Sequence, residues 1–277
     1  MTHLKNGQLY TQLNTGQEMP LLGLGCWDMY QQEAQQAVAW ALEIGYRLID
    51  TAAIYRNEVE VGNAIRQSGI PRSDIFLTTK LHNADHGDYD QVLKAFEASQ
   101  LRLNCDYIDL YLIHWPVKHK RAASWKALER LYAEGRVKAI GISNFLLPFL
   151  EEMATYANLR PALNQIEFSP YLFLKDELEW CQQRDIQLQG YSPIARGAKF
   201  KDKKLRALAE KYGKTPAQVM IRWQMEHGVS VIPKSANQKR LTENFDVFDF
   251  QIAAADIALL DGFHENFRVV DDPMGMW

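Results

Sequence analysis

The sequence has few of the features that mark secreted, metal-stapled or membrane proteins. It contains only 3 cysteines in 277 residues, and Cys26, Cys105 and Cys181 show no CxxC spacing. A disulfide framework and a zinc ribbon are therefore excluded. No run approaches the roughly 18 apolar residues that a membrane span needs, and the first residues lack the apolar core of a signal peptide. We expect a cytoplasmic protein without a membrane partner.

A surplus of charge of one sign is also missing. Lys and Arg number 31 against 34 Asp and Glu, which gives a formal net charge of -3. Such a balance provides no basic field that would attract nucleic acid. Hydrophobic residues at 47% and charged residues at 23% are values of folded globular proteins and exclude disorder. We expect a monomer whose partner is a small molecule and not a nucleic acid.

No linker rich in Pro, Gly or Ser divides the chain, so one domain over residues 1–277 is expected. Residues 8–13 and 19–20 flank a turn and predict an N-terminal β-hairpin. Eight short apolar runs then alternate with helical patterns. The predicted strands cover 21–25, 47–51, 75–80, 107–114, 137–143, 163–168, 187–192 and 229–233. The predicted helices cover 33–44, 58–67, 90–103, 124–134, 147–157, 174–184, 205–226, 237–246 and 256–262.

Alternating strands and helices predict a parallel sheet, and eight such units are the number that closes a (β/α)8 barrel. The alternative is an open doubly wound sheet, whose fingerprint is G-x-G-x-x-G after the first strand. Here Gly23 and Gly25 precede Cys26, Trp27 and Asp28, so the third glycine is absent. We expect an α/β fold, a (β/α)8 TIM barrel with an N-terminal β-hairpin and an extra C-terminal helix.

Polar residues recur where the predicted strands end. Asp50, Lys80 and His114 end the second, third and fourth strands. Later strands end in or contain further polar residues: Ser143, Asn144, Gln165, Glu167, Tyr191 and Lys234. Each alone could be a loop cap or an edge residue. Together they indicate a site, because barrel enzymes carry their chemistry at the carboxyl ends of the strands.

The residue types at these positions suit proton transfer. A buried Lys80 needs a counter-ion, and Asp50 on the neighbouring strand can supply it. Tyr55 follows five residues after Asp50 and can reach the same rim. A cation beside the phenol should lower the pKa of Tyr55 toward working pH and make it a general acid. With a neutral His114 donating to a carbonyl oxygen, the set would protonate an alkoxide.

An alkoxide forms when hydride reaches a carbonyl carbon, so an organic cofactor is expected to supply the hydride. Ser143, Asn144 and Gln165 offer the donors and acceptors that a nicotinamide carboxamide needs, and Tyr191 could stack on its ring. Near the last strand, Lys234 and Arg240 flank a helix start that would favour an anion. Ser235 and Gln238 have the spacing of a capping box at that helix start.

The loop after the third strand leaves one alternative open. His82 and His86 are four residues apart and could form a metal pair, although their loop is polar and contains Gly87. A serine nucleophile of the G-x-S-x-G type is absent.

Motifs along nearly the whole chain occur in a distinctive order. They are LGLGCW at 22–27, LIDTA at 48–52, YRNE at 55–58, LIHWP at 112–116, GISNF at 141–145, NQIE at 164–167 and IPKSANQKRLTEN at 232–244. In this order they resemble the aldo-keto reductase superfamily. The short loop after His114 and the short tail resemble its compact bacterial branch, which includes diketogluconate and methylglyoxal reductases. The resemblance implies a barrel without a Rossmann fold that reduces aldehydes and ketones with NADPH.

The resemblance also implies roles for single residues. The catalytic tetrad would be Asp50, Tyr55, Lys80 and His114. The cofactor-binding residues would be Ser143, Asn144, Gln165, Tyr191, Pro193, Ile194, Arg196, Lys234, Ser235, Asn237, Arg240, Glu243 and Asn244. The substrate pocket would contain Trp27, Ile54, His82, Trp115 and Trp277, with His82 standing where some relatives have tryptophan.

We therefore expect an NADPH-dependent oxidoreductase that reduces small aldehydes, α-dicarbonyls or keto-sugars, with Tyr55 as the general acid. Two other functions remain open at this point. One is a non-catalytic nicotinamide-nucleotide sensor of the same fold. The other is a barrel isomerase or aldolase that uses Lys80 as a Schiff base.

Overall fold

The computed structural model describes residues 2–5 and 7–276. Trp277, an expected pocket residue, lies outside this described part. The strands are β1 (His3–Lys5), β2 (Gln8–Gln12), β3 (Glu18–Pro20), β4 (Leu24–Gly25), β5 (Leu48–Asp50), β6 (Phe76–Leu81), β7 (Ile108–Ile113), β8 (Val137–Ser143), β9 (Leu163–Glu167), β10 (Gln187–Tyr191) and β11 (Ser230–Val231). In the same residues, no helix is long and apolar enough to cross a bilayer.

The helices lie between and after the barrel strands. They are α1 (Gln31–Ile44), α2 (Glu58–Gln67), α3 (Tyr89–Leu103), α4 (Arg121–Ala133), α5 (Leu147–Met153), α6 (Lys175–Gln182), α7 (Lys203–Lys211), α8 (Pro216–Glu226), α9 (Gln238–Phe245), α10 (Ala254–Asp261) and α11 (Pro273–Met276).

Strands β4 to β11 form one parallel sheet in the order of the sequence, and the sheet curls into a barrel. A parallel bridge between Leu22 and Val231 joins its first and last strands. The Gly23 amide donates to the Val231 carbonyl at 2.8 Å, and the Val231 amide donates to the Leu21 carbonyl at 2.7 Å. The expected (β/α)8 barrel is confirmed, and β4 and β11 are its shortest strands, with two residues each.

Apolar side chains fill the barrel from inside and cover it from outside. An inner cluster contains residues from successive strands, among them Leu48, Phe76, Leu112 and Leu163. Because side chains alternate along a strand, the residue two positions after an inner residue also faces inward. Asp50, two positions after Leu48, and Gln165, two positions after Leu163, therefore also face inward. They place polar groups at one end of an apolar interior.

The N-terminal strands close the other end of the barrel. β2 and β3 form the expected hairpin, with Gln12 opposite Glu18. β1 adds a third strand that the sequence did not indicate. Leu13 and Met19 belong to the inner cluster together with residues that begin the barrel strands. The site can therefore open only where the strands end.

Two local expectations about helices were wrong. Residues 205–226 form two helices, α7 and α8, because Gly213 adopts a left-handed φ of 61° and Thr215 then starts a new helix. Thr215 and Gln218 make the reciprocal bonds of a capping box there. At α9 the capping residue is Asn237, whose side chain accepts from the Arg240 amide at 3.1 Å. The capping box expected between Ser235 and Gln238 does not form.

Candidate active site

A cavity of about 1200 Å³ opens at the carboxyl ends of the barrel strands. This volume exceeds the roughly 300–1,000 Å³ of sites for single drug-sized ligands. Asp50, Tyr55 and His114 line it, whereas Lys80 lies behind them. Every residue expected to bind the cofactor also lines it: Ser143, Asn144, Gln165, Tyr191, Pro193, Ile194, Arg196, Lys234, Ser235, Asn237, Arg240, Glu243 and Asn244.

Lys80 and Asp50 form a buried ion pair at the floor of the cavity. The Lys80 ammonium donates to Asp50 Oδ1 at 2.5 Å and to the Thr51 carbonyl at 2.9 Å. Lys80 is fully buried and Asp50 is 1% exposed. Burial raises the pKa of the Asp50 carboxyl, while Lys80 and the Gln165 amide oppose that rise. The counter-ion inferred for Lys80 is confirmed.

Tyr55 stands above this pair, but its electrostatics differ from expectation. Lys80 Nζ lies 5.1 Å from the centroid of the phenol ring. Burial, followed by the charge of Asp50, raises the pKa of Tyr55 well above its ordinary value. The expected lowering of the pKa of Tyr55 was wrong, because burial has the largest effect and raises it. A raised pKa keeps the phenol protonated, as a proton donor requires.

His114 faces the Tyr55 hydroxyl directly after β7. Its Nε2 lies 3.5 Å from the Tyr55 hydroxyl oxygen, and the two rings meet edge to face with centroids 5.5 Å apart. Burial, followed by the charge of Lys80, lowers the pKa of His114 well below its ordinary value. The imidazole is therefore neutral near pH 7 and carries one N–H and one acceptor nitrogen. Both polar groups point toward one place in the cavity.

The polar residues at the ends of β8 and β10 hold one another in position. Tyr191 donates its hydroxyl to Asn144 Oδ1 at 2.8 Å. The Asn144 side-chain nitrogen donates to the His114 carbonyl at 2.9 Å. Ser143 donates its hydroxyl to the Gln165 carbonyl at 2.8 Å. This network fixes the wall beside His114.

Several residues around the cavity have left-handed backbone. Asn144 has a φ of 66°, and in the loop after β10 Ser192, Ala195 and Arg196 have φ values of 48°, 47° and 51°. Such conformations are disfavoured for residues other than glycine and asparagine, and they concentrate at functional sites. From this loop Arg196 reaches over the exposed indole of Trp27, with Cζ 4.5 Å from the ring centroid. Both side chains line the cavity.

The far end of the cavity, at α9, is positively charged. Lys234 and Arg240 line it and are exposed. None of the ion pairs formed by the described residues involves either of them. Ser235 Oγ accepts from the Asn237 amide at 3.1 Å, which shapes the turn into α9. Cations beside a helix start suit a phosphate group.

Of the expected pocket residues, Trp27, Ile54 and Trp115 line the cavity. His82 does not. Its Nδ1 accepts from the Ala84 amide at 3.1 Å and caps a short turn in the loop after β6. His86 is fully buried in the same loop, and neither of its ring nitrogens has a hydrogen-bond partner among the described residues.

Two buried residues around the site were not assigned from the sequence. Asn57 donates to the carbonyls of Cys26 and Met29 at 2.7 and 2.9 Å, and so holds the loop that carries Trp27. Glu167 accepts from the amides of Val269 and Val270 at 2.7 and 3.1 Å. These two valines line the cavity, so Glu167 fixes the C-terminal tail as one of its walls. The only sequence signal for Glu167 was its charge inside a buried strand.

Comparison with known proteins identifies the family. The model of the Aldo/keto reductase family matches residues 21–265. The chain belongs to this family. Glyoxal reductase of Bacillus subtilis (strain 168) is 44% identical to this aldo/keto reductase over 263 residues, with 95% of each chain covered. Methylglyoxal reductase DkgA of Escherichia coli (strain K12) is 41% identical over 266 residues, which cover 95% of this chain and 96% of the relative.

A solved relative has the same fold. The aldo-keto reductase of Bombyx mori, whose crystal structure is a complex with NADP, superposes with a TM-score of 0.89 at 35% identity. The match covers 95% of this aldo/keto reductase and 94% of that chain. The resemblance to the bacterial branch of the superfamily, inferred from the motifs, is confirmed by the bacterial relatives.

Proposed function

We propose that this aldo/keto reductase reduces small carbonyl compounds to alcohols with NADPH, and that Tyr55 is the proton donor. The observation that carries the proposal is the convergence of the Tyr55 hydroxyl and the neutral His114 ring, 3.5 Å apart, at the cavity end backed by the Lys80–Asp50 pair. We propose small aldehydes, α-dicarbonyls or keto-sugars as substrates, and the glyoxal and methylglyoxal reductases among the relatives support the α-dicarbonyls.

The residues present fit a nicotinamide dinucleotide. Side-chain amides and hydroxyls lie near the tetrad, and the cations Lys234 and Arg240 lie at the other end of the same cavity. Ser143, Asn144 and Gln165 would hold the carboxamide, Tyr191 would lie against the ring, and Pro193, Ile194 and Arg196 would follow the pyrophosphate. When bound, the reduced cofactor supplies a hydride to the carbonyl carbon.

The chain's own residues provide the proton and the orientation. A carbonyl oxygen placed between Tyr55 and His114 can accept a hydrogen bond from each. Tyr55 keeps its proton until the oxygen becomes an alkoxide, which is more basic than the phenolate. The nearby Lys80 ammonium then stabilises the phenolate that remains. Trp27, Ile54 and Trp115 supply the apolar contacts with the rest of a small substrate.

A Schiff-base function for Lys80 finds no support in this geometry. Its ammonium is fully buried, ion-paired and absent from the cavity lining. The sensor alternative differs from the proposed function only in lacking turnover, so one assay separates the two.

Replacing Tyr55 by phenylalanine tests the assignment, because the ring remains and only the hydroxyl group with its acidic proton is lost. We expect kcat for methylglyoxal reduction to fall by about 10²-fold or more, the usual contribution of a general acid. The Kd for NADPH, measured by fluorescence titration, should stay within about twofold. Tyr132→Phe on α4, outside the cavity lining, is the matched control. Near-normal turnover in the Tyr55 variant would refute the role, and a wild type without turnover would favour the sensor.

A further inference from the structure

A row of buried polar side chains crosses the barrel beneath the cavity and continues beyond the tetrad. From Lys80 it passes to Asp50 Oδ1, and the side-chain nitrogen of Gln165 donates to Asp50 Oδ2 at 2.7 Å. The same nitrogen donates to Gln189 Oε1 at 2.7 Å. Gln189 Nε2 in turn donates to Ser230 Oγ at 3.1 Å. Gln189 and Ser230 are fully buried on β10 and β11.

The ion pair at one end fixes the direction of every bond in this row. A carboxylate paired with a lysine only accepts, so the amide group facing Asp50 must be the NH2 of Gln165. The second N–H of that NH2 then requires an acceptor, and Gln189 presents its oxygen to it. Consequently the NH2 of Gln189 faces Ser230. Reversing Gln165 would place its oxygen against two acceptors, and reversing Gln189 would place its NH2 against the NH2 of Gln165.

The direction of the row determines what Gln165 offers to the cavity. Both of its N–H groups are engaged inside the protein, and Gln165 lines the cavity. The group left for a ligand is therefore its oxygen, which can only accept. Among nicotinamide ligands, this oxygen would recognise the carboxamide NH2.

We propose that Gln189, held by Ser230, is a positioning residue that fixes the Gln165 amide with its oxygen toward the bound cofactor. The proposal rests on the proposed function, since it assumes a nicotinamide in this cavity. Gln189 does not line the cavity and acts through Gln165. Without its oxygen the second N–H of Gln165 lacks an acceptor, so the amide would rotate toward water or ligand and lose its single orientation.

Two ligands that differ only in the carboxamide provide the test. One is NADP+, and the other is its 3-acetylpyridine analogue, in which a methyl group replaces the NH2. Gln189→Met keeps the approximate volume of the side chain but removes the amide acceptor. We expect this variant to bind NADP+ about 10-fold more weakly, as the loss of one fixed hydrogen bond implies. Its Kd for the acetyl analogue should remain within about twofold of wild type.

Two further variants separate positioning from general damage. Gln189→Glu should restore the preference for NADP+, because a buried glutamic acid stays protonated, accepts from Gln165 and donates to Ser230. Thr78→Val is the control, since Thr78 is equally buried and its hydroxyl has no hydrogen-bond partner among the described residues. It should leave both Kd values unchanged. If Gln189→Met does not fold, Ser230→Ala takes its place and should reduce the preference to a smaller extent.

The outcomes are distinct from those of the proposed function. The positioning role is overturned, while the proposed function stands, if Gln189→Met keeps the wild-type preference for NADP+. The same conclusion follows if it lowers the affinity for both ligands equally. The same applies to Ser230→Ala where it is the variant used. A wild type that binds neither ligand overturns the proposed function, and this inference with it.

Discussion

Replacing Lys80 by methionine should expose how strongly the buried ion pair depends on both partners. The Lys80 ammonium lies 2.5 Å from Asp50 Oδ1, and the two side chains are 0% and 2% exposed. Removing one partner of such a pair leaves an uncompensated buried charge, which costs about 3–5 kcal/mol of the free energy of unfolding. Asp50→Asn should lower the free energy of unfolding by a similar amount, because it leaves the buried ammonium without a counter-ion.

The double variant Lys80→Met/Asp50→Asn removes both charges together. We expect it to lose at least about 2 kcal/mol less than the sum of the two single variants, as for residues in direct contact. The side-chain oxygen that Asp50→Asn retains would still accept from Gln165, which limits the damage further.

The pH dependence of Lys80→Met follows from the pKa of Asp50. Burial raises this pKa, and the variant lacks the ammonium that opposes the rise. A carboxyl with a folded pKa above its unfolded value of about 3.9 contributes stability that is complete at lower pH and lost as pH rises through the folded pKa. The difference in unfolding free energy between wild type and Lys80→Met should therefore grow as pH rises above about 4, the unfolded pKa of the carboxyl.

Urea unfolding followed by far-UV circular dichroism at several pH values measures both effects. Additive losses in the double variant, within about 0.5 kcal/mol, would refute the coupling of the pair. A gap that narrows as pH rises would refute the sign assigned to Asp50.

Two further predictions concern other parts of the chain. Arg240→Ala should weaken NADPH by about 10- to 150-fold, the contribution of a hydrogen bond to a charged group, and barely affect NADH; equal losses in fluorescence titration would contradict phosphate recognition. Burial is the largest cause that lowers the pKa of His86 from 6.5 to about 4. The free energy of unfolding should therefore fall as pH drops from about 6.5 to about 4, by about 3 kcal/mol in all. His86→Leu should remove this loss of stability at low pH. Wild type and His86→Leu that lose stability equally in acid would contradict the role of His86.

Local chemistry explains which parts of the structure were predictable. The barrel strands are apolar runs ended by polar residues, so both their positions and the rim they share follow from the sequence. The buried Lys80 needed a counter-ion, and Asp50 was the acid at the end of the neighbouring predicted strand. The break between α7 and α8 could also have been found, because Gly213 and the capping box at Thr215 stand side by side.

The remaining features depend on contacts between distant segments. The pKa of Tyr55 rises mainly because the fold buries this side chain, and the spacing of residues in the sequence does not show how deeply it will be buried. Glu167 meets amides about a hundred residues later, and the bond from Gln165 to Gln189 depends on strand register. His82 does not line the cavity, because its ring accepts a hydrogen bond from a backbone amide of its own loop.

The barrel is joined along a narrow seam. Beside the bridge from Leu22 to Val231, backbone hydrogen bonds link Gly23 and Gly25 to the end of β11. Trp27 follows one side of the seam and Lys234 the other, and both line the cavity. A ligand that touches both sides would link the first and last strands of the barrel reversibly. Occupancy would then set how often the barrel opens, so cellular levels of the cofactor would govern the lifetime of the protein as well as its turnover.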